Sequence, residues 1–259
     1  RAGRTDADTA RNLSILAQRK HEYAEALVLS ERSIVVARRL GDKIRLAHFI
    51  TNLAELRVGF GLVAQAAQTR AFGRKACGAL VVSKLASHFA LAAARIHLAR
   101  RRTLEATAEI KTALATTETS PTGGHLGRCY RLAVRIALED GDIVRAADAM
   151  ERAKPASTTT KDKSEAILLE ALLARASGAP YADLALDALR LAGQADHRTV
   201  GIEAHVLLCH AARESGEPDR ARAHLGNALA LRNGMAEALP DQVRERFFAL
   251  RDFQDLGKL

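Results

Sequence analysis

The chain has 259 residues and carries 39 Lys/Arg against 30 Asp/Glu, a net charge of +9, with 48% hydrophobic and only 4% aromatic residues. Ala, Leu and Arg dominate and tryptophan is absent, a mixture of strong helix formers that points to an all-α chain. Three well-separated cysteines without a CxxC pair argue against a disulfide framework or a cysteine zinc site and for a reducing cytoplasm. No apolar run reaches the ~18–20 uncharged residues a spanning helix needs, so no membrane partner is expected.

The charge is uneven. Residues 1–102 hold 19 Lys/Arg against 7 Asp/Glu, while residues 103–259 hold 20 against 23. The amino-terminal part therefore attracts acidic partners, unless its charge is simply a solvated surface.

Apolar periodicity and turn residues predict helices over 7–19, 23–40, 43–59, 62–79, 82–100, 103–117, 125–139, 142–153, 161–177, 180–192, 196–215, 217–232 and 238–251. Within the first pair, Ala26 and Ser33 sit seven residues apart. Stepping along the chain gives Ala66 and Gly73, Ala106 and Ala113, Ala146 and Ala153, Ala185 and Ala192, and Ala221 and Ala228. Intervals of about 40 residues mark an internal repeat. Seven residues return to the same helix face, so each second helix carries a small stripe, which close approach of antiparallel helices requires.

The turn before each second helix has its own slot, five residues ahead of the first small residue. Gly61, Gly141 and Gly216 occupy it, suited to the left-handed end of a helix, and Asp142 is placed to cap the helix that follows. His21 and Arg101 fill the slot in the first and third pairs, and Gly178 stands two residues early in the fifth. Two segments, Thr116 to His125 and Lys154 to Lys163, are rich in Ser, Thr, Pro, Gly and Lys and read as flexible joints.

These features resemble the tetratricopeptide repeat: Leu13–Ser14 and Leu53–Ala54 in first helices, Tyr23, Val63 and Ile143 three before a small residue, and the second small residue seven further on. The usual tryptophan is missing and the helices are longer, as in the divergent repeats of bacterial multidomain signalling regulators. The tail from Leu239 to Leu256 is similar to the closing segment of proteins in which a kinase or ATPase domain precedes such an array. The resemblance implies an α-solenoid of about six antiparallel hairpins over 1–236, with units near 7–40, 43–79, 82–117, 124–153, 161–192 and 196–232. Residues 237–259 would form a capping helix and tail.

In that register the first helices line a concave groove. Its slots hold Asp8, Arg11 and Ile15, then His48, Thr51 and Glu55, then His88, Leu91 and Arg95. Arg128, Arg131 and Arg135 follow in the fourth unit, and Glu203, Val206 and His210 in the sixth. Arg128, Arg131 and Arg135 share one helix face and repel one another, which an acidic ligand or an intramolecular carboxylate would relieve. The expected partner site is Arg95, Arg128, Arg131 and Arg135, with Arg11 and His48.

No phosphate loop, nucleophile elbow or metal constellation stands out. In "HEYAE" Glu25 stands where a zinc helix needs its second histidine, and His205, Cys209 and His210 lack further ligands. No cofactor, metal or enzymatic activity is expected. The leading expectation is a cytoplasmic protein–protein interaction scaffold with a protein or peptide partner. Nucleic-acid binding through the basic amino-terminal portion and small-molecule sensing inside the superhelix are the alternatives.

Overall fold

A computed structural model describes residues 2–118 and 123–250, with the backbone alone at 2–5 and 123–124. Residues 119–122 of the joint expected from Thr116 to His125, and the tail beyond 250, lie outside the described residues. Among the described residues all regular structure is helical. The helices are α1 (Ala2–Arg19), α2 (Tyr23–Arg39), α3 (Lys43–Gly59), α4 (Val63–Cys77), α5 (Ala79–Lys84), α6 (Ala86–Ala99) and α7 (Thr103–Glu118). They continue with α8 (Gly123–Glu139), α9 (Ile143–Ala153), α10 (Thr160–Ala176), α11 (Ala182–Gln194), α12 (Arg198–Glu214), α13 (Pro218–Glu237) and α14 (Asp241–Phe248). No described helix is long and apolar enough to cross a membrane.

The chain divides into two compact units, residues 1–116 with 236–250, and residues 117–235. In each, helices adjacent in sequence pack in pairs: α1 with α2 and α3 with α4 in the first unit, α8 with α9 and α10 with α11 in the second. First helices of successive pairs also touch, α3 against α6, and α10 against α8 and α12. This is the contact pattern of a helical repeat.

All twelve small residues at the repeat positions are buried. Gly73 shows why size matters there, because an added Cβ would run into Ile50 and press on Phe89. Around these positions lie the larger apolar side chains. In the first unit Leu46, Phe49 and Ile50 of α3 meet Ala37, Cys77 and Phe89. In the second, Leu168, Val200, Leu207 and Leu208 enclose Ala185, Ala188 and Ala192.

One backbone device closes eight turns. In each, an amide donates to the carbonyl five residues earlier: Glu22 to Ala17, Asp42 to Ala37, Leu62 to Arg57, Arg102 to His97, Asp142 to Ala137, Ala179 to Ala174, His197 to Ala192 and Glu217 to Ala212, all at 2.8–3.2 Å. The residue just before each donor has φ between 47° and 75°. This is the left-handed helix ending that satisfies the last carbonyls. Glycine supplies it at 41, 61, 141, 178 and 216, whereas His21, Arg101 and Asp196 adopt it despite their Cβ atoms. Asp142 caps α9 as expected, its carboxylate accepting from the Arg145 amide at 2.9 Å.

Three places depart from the sequence expectation. The helix expected over 82–100 is two, because Gly78 takes φ 80° and the chain bends again at Leu85. The bend lets Val81, Val82 and Leu85 fold together onto the cluster built around Leu46 and Phe49. The joint expected at 154–163 is pinned. The Ser157 hydroxyl donates to the Ala153 carbonyl, Lys154 pairs with Glu170, and Thr159 caps α10.

The third concerns the closing helix. Phe247 is fully buried. The Ala24 amide donates to the Ala238 carbonyl at 3.2 Å, and a Cβ on Gly61 would collide with the Arg246 backbone. The closing segment is therefore tied to the first two hairpins, where the sequence suggested a cover for the free end of a stack.

The positive φ of Arg101 yields a stability prediction. A side chain in the left-handed region costs ~1–2 kcal/mol, partly offset by the chain entropy a glycine would lose. Arg101 is exposed and its guanidinium makes no ion pair among the described residues. Arg101→Gly should therefore stabilise the protein by ~0.5–1 kcal/mol, a rise of about 1–4 °C in Tm by calorimetry. A lower Tm would show that the turn is not held in this conformation.

Candidate functional site

On a helix of 3.6 residues per turn, a side chain seven positions on lies about 20° from its predecessor, and one three positions on lies about 60° away. The outer members of each predicted trio should therefore share a line, and the middle member should turn aside. In the first unit the outer lines hold together across helices. The His48 and His88 rings stand edge to face, 4.9 Å apart. Arg95 reaches Glu55 at 3.9 Å. Asp8 is held by Arg45 at 3.1 Å. The middle positions Thr51 and Leu91 are buried core.

Arg11, also a middle position, remains half-buried. It lies near enough to His48 that its charge, after burial, helps push the imidazole pKa below its ordinary value. Arg11, His48 and His88 thus form a short half-buried line on the first helices of the first unit, in which Arg11 carries the positive charge and His48 is held toward its neutral form, next to the Glu55–Arg95 pair.

In the second unit the same geometry carries Arg131 inside. It is 2% exposed. Its Nε donates to Glu165 at 2.8 Å, one Nη donates to Asp162 and the other to Ser157 at 3.2 Å. A guanidinium can be buried only when its donors are met in this way. Arg135 donates both Nη groups to Glu203, each at 2.9 Å, a bidentate fork. Arg128 is half-buried and also engaged within the chain.

The acidic ligand expected for Arg131 and Arg135 is thus supplied by α10 and α12. The correction has a plain cause. Asp162 and Glu165 open the helix that packs beside α8 and neutralise Arg131, and Glu203 of α12 neutralises Arg135.

His197 completes this network. Its Nδ1 lies 3.1 Å from the Ser164 hydroxyl, and burial, reinforced by the Lys161 charge, holds its pKa down to about 4. His205 behaves similarly. Its Nδ1 meets that of His224 at 3.1 Å, and burial with the neighbouring imidazole keeps it at about 4. Cys77, Cys129 and Cys209 are buried and form no disulfide with one another. Among the described residues no group of three His, Cys, Asp or Glu is arranged to hold a metal.

Sequence reasoning missed Asp162, Glu165 and His197. Asp162 and Glu165, three apart in the first turns of α10, were the available signal. His197 sits in a turn and offered none.

The two depressed histidines set a pH dependence. Their neutral forms are favoured in the folded chain, while the unfolded chain takes up protons at the ordinary value near 6.5. Stability is therefore flat above about pH 7 and falls between about 6.5 and 4, by on the order of 3 kcal/mol per histidine. Urea unfolding at pH 7.5 and pH 4.5 should show the loss, and His197→Gln should remove part of it. An unchanged midpoint would contradict the assignment. No protein-family model matches this chain and no curated protein is significantly similar to it, so its functional reading rests on its own residues.

Proposed function

We propose that this chain is a non-catalytic protein–protein interaction scaffold, a tetratricopeptide-like α-solenoid that serves as the docking or sensing region of a larger bacterial regulatory protein. Two features support the repeat reading: the twelve buried small residues and the eight turns of one kind. The observation that carries the binding reading is the line Arg11, His48 and His88. It is built from first helices of three successive hairpins and left half-buried rather than sealed. The Arg11 guanidinium, with the two imidazoles as hydrogen-bonding groups beside it, suits an acidic peptide segment bound along the first helices. In the second unit Arg131 and Arg135 are already satisfied, so the contact falls to the first unit.

Fluorescence anisotropy with labelled peptides rich in Asp and Glu, against neutral peptides of equal length, tests this. Acidic peptides should bind at least tenfold more tightly. The double variant Arg11→Glu with His48→Gln should lose most of that preference and weaken the salt dependence. Equal affinity for both peptide classes, or a variant that binds as the wild type does, would overturn the reading.

A further inference from the structure

A second surface of the first unit uses none of the residues of that line. Residues 32–84 contain ten Lys/Arg and only two acids, Asp42 and Glu55. Both acids are spent: Asp42 caps α3 and pairs with Arg45, and Glu55 meets Arg95. Arg57 and Arg70 reach out to Glu31 and Glu109.

Apart from Arg32, which lies mid-way along α2, what remains is Arg38 and Arg39 at the end of α2, Lys43 at the start of α3, Arg74 and Lys75 at the end of α4, and Lys84 at the end of α5. All six are exposed and none forms an ion pair among the described residues. Their helix ends converge. Ala37, Leu46, Cys77, Val81 and Val82 pack in one cluster, and the Arg38 guanidinium lies 5.7 Å from the Phe72 ring centre.

Among these cations stand exposed apolar side chains. Leu80 is 70% exposed and Ile44 51%, with Leu40 and Phe72 also exposed. A merely solvated basic face has no use for them. Nucleic acid would engage the cations through its phosphates but offers no apolar medium for Leu and Ile. An anionic bilayer surface accepts both: lipid phosphates and carboxylates take the cations, and aliphatic side chains enter the interfacial layer. The expectation of no membrane partner rests on the lack of a spanning helix, and adsorption needs none.

We infer that the edge formed by the ends of α2, α4 and α5 and the start of α3 binds peripherally to an anionic lipid surface. The edge includes neither Arg11 nor His48 nor His88, so either reading can fail alone.

Co-sedimentation of the full chain with vesicles tests it, using phosphatidylcholine alone against a 7:3 mixture with phosphatidylserine. The anionic vesicles should bind at least tenfold more protein, and high salt should release it. Lys75→Glu with Lys84→Glu should cut binding at least tenfold. Ile44→Ser with Leu80→Ser leaves the charge unchanged and should cut vesicle binding about fivefold or more. That pair should leave any binding to a random 20-base-pair duplex or to polyglutamate unaltered. Thermal melts check each variant, and Leu80→Ser alone carries the test if the pair unfolds. Equal binding to both vesicle types, or indifference to the serine substitutions, would overturn the inference. So would binding to the duplex or polyglutamate with none to anionic vesicles.

Discussion

Close approach of helix backbones is the constraint on which the rest of this structure depends. Helix axes pack ~8–10 Å apart, and the shorter distances in that range leave room only for hydrogen, methyl or hydroxymethyl side chains where the helices cross. Ala, Ser and Gly occupy those crossings at twelve places, and every one is sealed from solvent. Once the crossings are fixed, Leu, Ile, Val and Phe have defined gaps to fill at interior packing density. The turns then need only reverse the chain in few residues, which the left-handed residue and its five-back hydrogen bond accomplish eight times.

The same regularity sorts the polar residues. First helices run beside one another, so charges at equivalent heights meet across helices rather than along them. In the second unit this closes on itself: Arg131 and Arg135 find Asp162, Glu165 and Glu203, and the polar strip becomes a structural tie. Partners 31, 34 and 68 residues away are joined in this way, which couples hairpins beyond nearest sequence neighbours. In the first unit the corresponding line holds imidazoles and a half-buried arginine, with the Glu55–Arg95 and Asp8–Arg45 pairs beside it. The two lines therefore differ: arginine forks close the one in the second unit, and half-buried imidazoles and Arg11 occupy the one in the first.

Much of this was legible in the sequence because it rests on local periodicity. The 40-residue spacing, the seven-residue small pairs and the glycines before second helices are patterns of neighbouring residues, and they located the hairpins to within a few residues. The turn slot was legible even where its occupant was unsuitable, since His21 and Arg101 take the same left-handed conformation as Gly61 and Gly141. The break at Leu85 was not legible, because what bends the chain there is the burial of Val81, Val82 and Leu85 against α3. The fate of Arg131 was not legible either. Its face could be read from spacing, but its carboxylates come from another hairpin. The closing helix illustrates the same limit. A capping helix could be read at 237–259, while its attachment near Ala24 and Gly61 depends on long-range chain return.

The most direct measurement is a leucine scan of the twelve small positions, read by urea unfolding, beside leucine at exposed neighbours such as Gln68 and Asp148. If helix crossing distance governs the fold, each small-position variant should lose ~1–3 kcal/mol by overpacking, and the exposed controls should stay within about 0.5 kcal/mol. Small-position variants as stable as the controls would contradict the account.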